Sequence, residues 1–163
     1  MDLIGKRVYV ENLGCAKNQV DAEVMLHELA AAGCSVTDTA EDADIVLVNT
    51  CGFIESARKE SIDTFFALRT NHPEAKIVVT GCLSQRYAEE LGSDLVEADV
   101  IFGNRDLRSI ASFLQKLDRK NRPVDVPPYP AIERENDTRS TLLGFPGSAY
   151  LKISEGCDHR CRY

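Results

Sequence analysis

Short apolar runs alternate with amphipathic stretches over residues 1–118, and this alternation is the feature that most constrains the fold. The apolar runs predict five strands, at 6–14, 34–38, 43–50, 75–81 and 98–103. Strands that are separated by helices pair in parallel, with the helices packed on both faces of the sheet. We therefore predict an α/β fold with a doubly wound, mainly parallel, five-stranded sheet in the flavodoxin-like order 2-1-3-4-5.

The stretches between these strands predict four helices. Asn18 belongs to the residue types that cap helix N-termini and Gly33 to those that end helices, so the first helix is expected over 18–33. Apolar residues at helical spacing predict the others at 52–70, 83–91 and 107–117.

Proline interrupts the pattern after the last predicted helix, beginning with Pro123. We divide the chain into an N-terminal domain of residues 1–118, a linker of residues 119–147, and the start of a second domain at 148–163. The apolar run at 148–154 is predicted to be the first strand of that second domain.

The charge of the chain favours some partners over others. It carries 26 acidic and 19 basic residues, a net charge of −7, which suits a basic protein better than nucleic acid. No apolar run reaches the ~18 residues of a membrane helix, and the first residues lack the apolar core of a secretory signal. We expect a cytoplasmic protein without a membrane partner, in which the six cysteines act as thiols or metal ligands rather than disulfides.

Three of the cysteines follow predicted strands directly. Cys15, Cys51 and Cys82 come after strands one, three and four, which are neighbours in the predicted order. They are therefore expected at the carboxyl edge of the sheet, where open α/β sheets bind ligands. The helix that follows each cysteine favours thiolate, the form that binds metal. Three thiolates suit a four-iron cluster with one open iron. Zinc, redox-active thiols and chance placement remain alternatives, whereas no phosphate-binding loop is recognisable.

The other metal-binding residue types are expected to be structural. Cys34 lies at the amino end of the second strand, so we predict a free thiol at the opposite edge of the sheet. His27, His72 and His159 are interpreted as ordinary residues rather than metal ligands. Lys17, Asn18, Asn49 and Thr50 are candidates for contacts at the cysteine edge, with the start of a helix or the end of a strand as the alternative, and for Asn18 we favour the helix start.

Four segments together resemble a known family. They read ENLGCAKNQVDAEVM, NTCGFIESARKESID, TGCLSQRY and AYLKISEGCDHRC, and they are similar to successive blocks of the radical S-adenosylmethionine methylthiotransferases. The resemblance implies that Cys15, Cys51 and Cys82 hold an auxiliary [4Fe-4S] cluster that carries the sulfur to be inserted. It also implies a second [4Fe-4S] cluster, which cleaves S-adenosylmethionine in a barrel domain.

The same resemblance explains the last residues of the sequence. Cys157 and Cys161 match the first two cysteines of the family's radical motif, and Tyr163 matches the aromatic, cofactor-binding position before the third. Asp158 departs from the asparagine expected after the first of them. The resemblance thus implies an N-terminal fragment with a truncated radical-SAM domain. Such a fragment is expected to be inactive by itself.

The resemblance is greatest to the branch of the family that modifies an aspartate in a small-subunit ribosomal protein. It implies a basic ribosomal protein as the substrate and no nucleic-acid contact through this domain, and it leaves the sulfur donor unknown. A transfer-RNA methylthiotransferase, or a stand-alone module that binds zinc or cycles between thiol and disulfide, is the alternative.

Overall fold

A computed structural model describes residues 1–117, 123–127, 138–154 and 159 of the chain. Its strands form one parallel sheet in the order β2-β1-β3-β4-β5-β6. They are β1 (Arg7–Asn12), β2 (Ser35–Val36), β3 (Ile45–Thr50), β4 (Lys76–Gly81), β5 (Val100–Phe102) and β6 (Val124–Asp125). The predicted fold class and the order of the first five strands are confirmed.

The sixth strand lies in the stretch that was predicted to be a linker. β6 pairs in parallel with β5, with Val124 opposite Ile101 and Asp125 opposite Phe102. Pro123 does not prevent this pairing, because proline is tolerated at the start of an edge strand, where no backbone N–H is required. The boundaries between the three predicted parts of the chain remain predictions.

In the described residues, five helices connect and flank the strands. They are α1 (Ala16–Ala31), α2 (Glu55–Asn71), α3 (Cys82–Arg86), α4 (Ala88–Asp94) and α5 (Ile110–Gln115), with 3-10 turns at Ala40–Asp42 and Leu107–Ser109. The helix predicted at 83–91 is interrupted at Tyr87. None of the helices in the described ranges is long and apolar enough to cross a membrane.

The ends of α1 test two predictions. Gly33 has a φ of +100° just beyond the helix, where most other residues would be strained, so its predicted role is confirmed. The prediction that Asn18 caps the helix was wrong, because Cys15 occupies the N-cap position. Asn18 lies inside the first turn, buried, and its side chain bonds to β3 instead.

The sheet is buried on both faces, as β3 illustrates. Ile45 and Leu47 pack in one apolar cluster with residues of α1 and α5, whereas Val46 and Val48 pack in a second cluster with residues of α2, α3 and α4. Successive strand residues point to opposite faces, so an uninterrupted apolar run serves both clusters. This packing fixes β1, β3 and β4 side by side.

The strand predicted at 148–154 was wrong. The structure describes these residues without any strand, and Lys152 instead contacts α1. A strand needs a neighbouring chain segment to satisfy its backbone N–H and C=O groups. The described residues provide no such segment for 148–154.

Candidate functional site

The three cysteines singled out in the sequence follow adjacent strands. Cys15 lies three residues beyond β1, Cys51 follows β3 directly, and Cys82 begins α3 after β4. β1 pairs with β3 and β3 with β4, all in parallel, so the three cysteines share the carboxyl edge of the sheet. All three are free thiols. The predicted placement is confirmed, and the role of these thiols as metal ligands stays a prediction.

A layer of neutral polar side chains lies beneath the cysteines. The Asn49 amide donates to Asn12 Oδ1 at 2.8 Å and to the Asn18 carbonyl at 2.7 Å. The Asn18 amide donates to the Thr50 carbonyl at 2.9 Å, and the Thr50 hydroxyl donates to the Thr80 carbonyl. These bonds join the ends of β1, β3 and β4 to the first turn of α1. They therefore fix the backbone positions from which the cysteines project.

Glycines bring the loops of this edge into direct contact. A Cβ atom on Gly81, whose φ is +96°, would lie 2.5 Å from the Thr50 carbonyl oxygen. A Cβ atom on Gly52 would lie 2.9 Å from the backbone of Cys82. Both distances are too short for a side chain, so the Cys51 loop packs against the Cys82 loop only because glycine stands at both positions.

Two amides contact the Cys82 sulfur. Its thiol donates to Asn18 Oδ1 at 3.2 Å, and Asn104 Nδ2 donates to the sulfur at 3.7 Å. Asn18 and Asn104 come from α1 and from the loop after β5, on either side of Cys82. The two contacts therefore hold this side chain in one orientation.

The electrostatic environment of Cys82 differs from the sequence-based expectation. Burial raises the pKa of the Cys82 thiol, and Cys15, Asp21 and Cys51 raise it further, while Arg86 lowers it. The surroundings of Cys82 within the protein thus favour its neutral thiol, contrary to the expectation from its place at the start of a helix. Cys15 and Cys82 line one cavity, and Cys51 lies in the loop that packs against the backbone of Cys82.

A cavity of about 300 Å³ opens at the cysteine edge. Two cysteines, four basic side chains, three amides and one carboxylate line it: Cys15, Lys17, Asn18, Asp21, Cys82, Gln85, Arg86, Asn104, Arg105 and Lys152. Positive charge predominates here although the chain as a whole carries a charge of −7. Such a cavity favours anionic occupants.

Sequence reasoning missed several of the lining residues. Asn104 and Arg105 were not singled out, although they follow β5 just as the cysteines follow their own strands. The position after a strand was therefore a usable signal for them. Lys152 gave no such signal, because its place at the cavity depends on how residues 138–154 return to α1.

The arrangement of the thiols bears on which metal group they suit. Among the described residues, no three Cys, His, Asp or Glu side chains converge as ligands of one metal ion. A single zinc ion requires its ligands within ~2.0–2.3 Å, which forces them together. In a four-iron cluster each thiolate bonds a different iron atom, so the ligands are spread around the group. Which of the two groups, if either, the three free thiols hold stays a prediction.

The remaining candidate ligands lie elsewhere. Cys34 is buried and free, and its thiol donates to the Leu3 carbonyl at 3.4 Å, so the prediction of a packed free thiol is confirmed. Burial raises the pKa of Cys34, and Asp44 adds to the effect. Neither His27 nor His72 lines the cysteine cavity. The predictions for Cys157, Cys161, Tyr163 and Asp158 lie outside the described residues.

Comparison with known proteins assigns the chain to a family. Residues 7–103 match the sequence profile described as "Uncharacterized protein family UPF0004". The chain belongs to the UPF0004 family. The matched residues run from the start of β1 to the residue after β5, so the match includes Cys15, Cys51 and Cys82.

Three relatives of this UPF0004 chain share the same name. A protein of Treponema denticola is 40% identical over 157 residues, which are 92% of the chain and 33% of that protein. A protein of Anaeromyxobacter sp. (strain Fw109-5) is 44% identical over 163 residues, 96% of the chain and 33% of the relative. A Clostridioides difficile protein is 40% identical over 161 residues, 96% and 36% respectively. Each is named "Ribosomal protein uS12 methylthiotransferase RimO". The chain thus spans about a third of the length of these relatives.

Proposed function

We propose that this chain is the cluster-binding N-terminal part of a methylthiotransferase that modifies ribosomal protein uS12. In this proposal Cys15, Cys51 and Cys82 hold an auxiliary [4Fe-4S] cluster. The observation that supports it is the placement of three free thiols after three adjacent parallel strands, at one edge of the sheet. The relatives, at about 40% identity, are named for the same reaction and substrate.

The donor set supports a cluster with an accessible iron atom. Three thiolates leave one iron of a four-iron group without a protein ligand, and that iron offers a position for a sulfur-containing ligand. The neutral layer formed by Asn12, Asn18, Asn49 and the two threonines beneath the site fixes the strand ends without adding charge. Asn18 and Asn104 orient the Cys82 sulfur through the contacts described above.

The basic side chains around the cavity have a role in the same proposal. Three thiolates in one place repel each other. Lys17, Arg86 and Arg105 place positive charge at the cavity and offset this repulsion. They also favour anionic groups as ligands of the site.

The rest of the reaction lies with other parts of the enzyme. We assign Cys157 and Cys161 to a second, radical-generating [4Fe-4S] cluster and Tyr163 to the cofactor site, with S-adenosylmethionine as the co-substrate. The substrate would be a basic ribosomal protein in the cytoplasm, and the net charge of −7 favours its approach. The names of the relatives favour a ribosomal protein over transfer RNA as the substrate.

Anaerobic reconstitution with iron and sulfide tests the proposal. We expect about four irons per chain, together with the broad visible absorbance of a four-iron cluster. The variants Cys15→Ala, Cys51→Ala and Cys82→Ala should each lose most of this iron, because each removes one of three ligands. Iron content, acid-labile sulfide and absorbance are the measurements.

Cys34→Ala is the matched control. Cys34 is a free thiol in the same domain but lies in the core at the opposite edge, so its removal should leave the iron content unchanged. Stoichiometric zinc without iron would instead support the alternative of a zinc module. Equal loss of iron in all four variants would show that the cluster is not held by the proposed set.

A further inference from the structure

Gln85 lies three residues after Cys82 on the short helix α3, and both side chains line the cysteine cavity. Residues three apart lie on the same face of a helix. Gln85 Oε1 accepts a hydrogen bond from the Asn104 backbone N–H at 3.1 Å, and Gln85 Nε2 donates to the Pro127 carbonyl at 3.0 Å. One side chain therefore joins α3 to the loop after β5 and to the residues after β6.

The two partners determine which way the Gln85 amide faces. A backbone N–H only donates and a carbonyl only accepts, so Oε1 faces Asn104 and Nε2 faces Pro127. Glutamate at this position would lack the donor, and methionine, which has a similar length, would lack both hydrogen-bonding groups. Glutamine therefore satisfies both partners at once.

Gly103 makes room for this side chain. A Cβ atom on Gly103 would lie 2.5 Å from Gln85 Oε1 and 3.1 Å from Val126 Cα. The Gly103 backbone N–H also donates to the Asp125 carbonyl at 2.8 Å, which ties the loop after β5 to β6. The loop after β5 is thus closely packed against both Gln85 and the residues of β6.

Asn104 extends this packing to the sulfur of Cys82. Its backbone N–H is bound by Gln85, and its side-chain Nδ2 donates to Cys82 Sγ at 3.7 Å. Cys82, Gln85 and Asn104 therefore form a closed set of contacts, in which α3 supplies two members and the loop after β5 the third. A side chain keeps a fixed orientation when the residue that contacts it is itself held by hydrogen bonds.

We infer that Gln85 is a positioning residue of the cysteine edge, because it holds Asn104 against the Cys82 sulfur and so keeps the Cys82 side chain in one rotamer. Residues 123–127 belong to the same arrangement, since Pro127 binds the second end of the Gln85 amide. Asn104 and Pro127 lie beyond residues 7–103, which match the family profile. The surroundings of Cys82 thus extend into the stretch that was predicted to be a linker. The inference does not depend on which group the thiols bind.

NMR spectroscopy of the metal-free 163-residue chain tests this role. In the parent chain the Asn104 amide should be protected from hydrogen exchange, and the Hα–Hβ couplings of Cys82 should report a single χ1 rotamer. Gln85→Met removes both hydrogen bonds of the side chain. Exchange at Asn104 should become about fivefold faster, the effect of losing one neutral hydrogen bond. The Cys82 couplings should shift towards rotamer-averaged values.

Asn104→Ala separates the two steps of the argument. It removes the Nδ2 donor but keeps the backbone N–H, so the amide of residue 104 should stay protected while the Cys82 couplings become averaged. Adding Gln85→Met to Asn104→Ala should change the Cys82 couplings no further, because Gln85 acts on Cys82 through Asn104. A Gln85 that only stabilised α3 would loosen Cys82 further in the double variant.

Two more variants guard against side effects of the methionine. Gly103→Ala should displace Gln85 Oε1 and reproduce both effects of Gln85→Met while leaving Gln85 itself unchanged. Gln115→Met removes the same amide from an exposed glutamine at the end of α5, and it should change neither the exchange at Asn104 nor the Cys82 couplings.

Four results would overturn the inference. Averaged Cys82 couplings in the parent chain would show that the side chain is not held. Faster exchange at Asn104 with unchanged Cys82 couplings would show that Gln85 does not act on the thiol. Further averaging in the double variant would show that Gln85 does not act through Asn104. Equally faster exchange of the Leu47 amide in β3 would show that Gln85→Met acts on the whole fold. Failure to bind iron, by contrast, would bear only on the proposed function.

Discussion

The two edges of the central sheet are built from different kinds of side chain. At the amino edge, Asp44 lies just before β3 and pairs with Lys6 and Arg7, while Asp99 lies just before β5 and pairs with Lys76 and Arg69. At the carboxyl edge the side chains that join the strand ends to one another are neutral amides and hydroxyls, and free thiols follow the strands. Ion pairs join the strand ends at one edge and neutral hydrogen bonds join them at the other, where the charged side chains line the neighbouring cavity.

The ion pairs and hydrogen bonds of the amino edge lower the pKa of both of its acids. The Arg7 backbone N–H, followed by the Lys6 and Arg7 charges, holds the pKa of Asp44 below its usual value. Burial raises the pKa of Asp99, but the bonds from Lys76, the Ile77 N–H and Arg69 outweigh it and leave the pKa lowered. Both acids therefore stabilise the folded state when they are ionised.

At the carboxyl edge, by contrast, one buried polar atom of the described residues has no hydrogen-bond partner. Asn49 Oδ1 is buried and, within the described residues, has no hydrogen-bond partner. A buried unsatisfied acceptor destabilises the fold and in native structures often accompanies a functional site. The amino edge is therefore organised for stability, whereas at the carboxyl edge neutral hydrogen bonds fix the strand ends from which the thiols project, beside a cavity with charged walls.

The largest expected effect is at the carboxyl edge. Gly81→Ala should lower the free energy of unfolding by about 3 kcal/mol, because it combines a left-handed φ with overpacking against Thr50. Urea denaturation measures the change. Gly5→Ala is the control at the other edge: its φ is +74°, but its Cβ would meet open space, so the loss should be about 1 kcal/mol. Equal losses of unfolding free energy in the two variants would show that the backbone around Gly81 is no more tightly packed than that around Gly5.

A smaller effect is expected from the half-buried acid of the amino edge. Asp99→Asn should lower the free energy of unfolding at neutral pH by about 2 kcal/mol, since it weakens charge-assisted bonds to Lys76 and Arg69. The folded-state pKa of Asp99 is lowered, so its contribution is present above the unfolded-state pKa and is lost as pH falls through the folded-state pKa. The difference between variant and parent should therefore shrink in acid. A constant difference from neutral to acidic pH would contradict the assignment.

The smallest effect is expected from an exposed pair at the same edge. Asp42 lies 3.1 Å from Arg7, and both side chains are at least half exposed. Asp42→Asn should lower the free energy of unfolding by about 0.5 kcal/mol or less, because solvent and salt screen the pair. Denaturation at low and high salt measures it. A loss as large as that of Asp99→Asn would show that the stability contribution of an ion pair at this edge does not depend on its exposure to solvent.

Much of the site could be predicted from residue order. Cys15, Cys51 and Cys82 each follow an apolar run, and parallel pairing brings the ends of such runs together whatever their distance in sequence. Cys34 precedes β2 closely enough that its position at the other edge followed from the same rule. The hydrogen-bond partners of individual side chains could not be predicted in this way. Asn18 belongs to a residue type that often caps helices, but its side chain bonds Thr50 and Cys82.

The sequence by itself determined the alternation of strands and helices, the parallel order and the edge at which the thiols lie, because these depend on local periodicity and on chain connectivity. Only the tertiary structure decided the sixth strand, the buried amide layer and the partner of Asp21 in α1. Lys152 is 131 residues from Asp21 in sequence, and no local pattern records such a pairing. Buried polar groups take whichever partner the packed chain brings within bonding distance, and that choice is made only when the chain has folded.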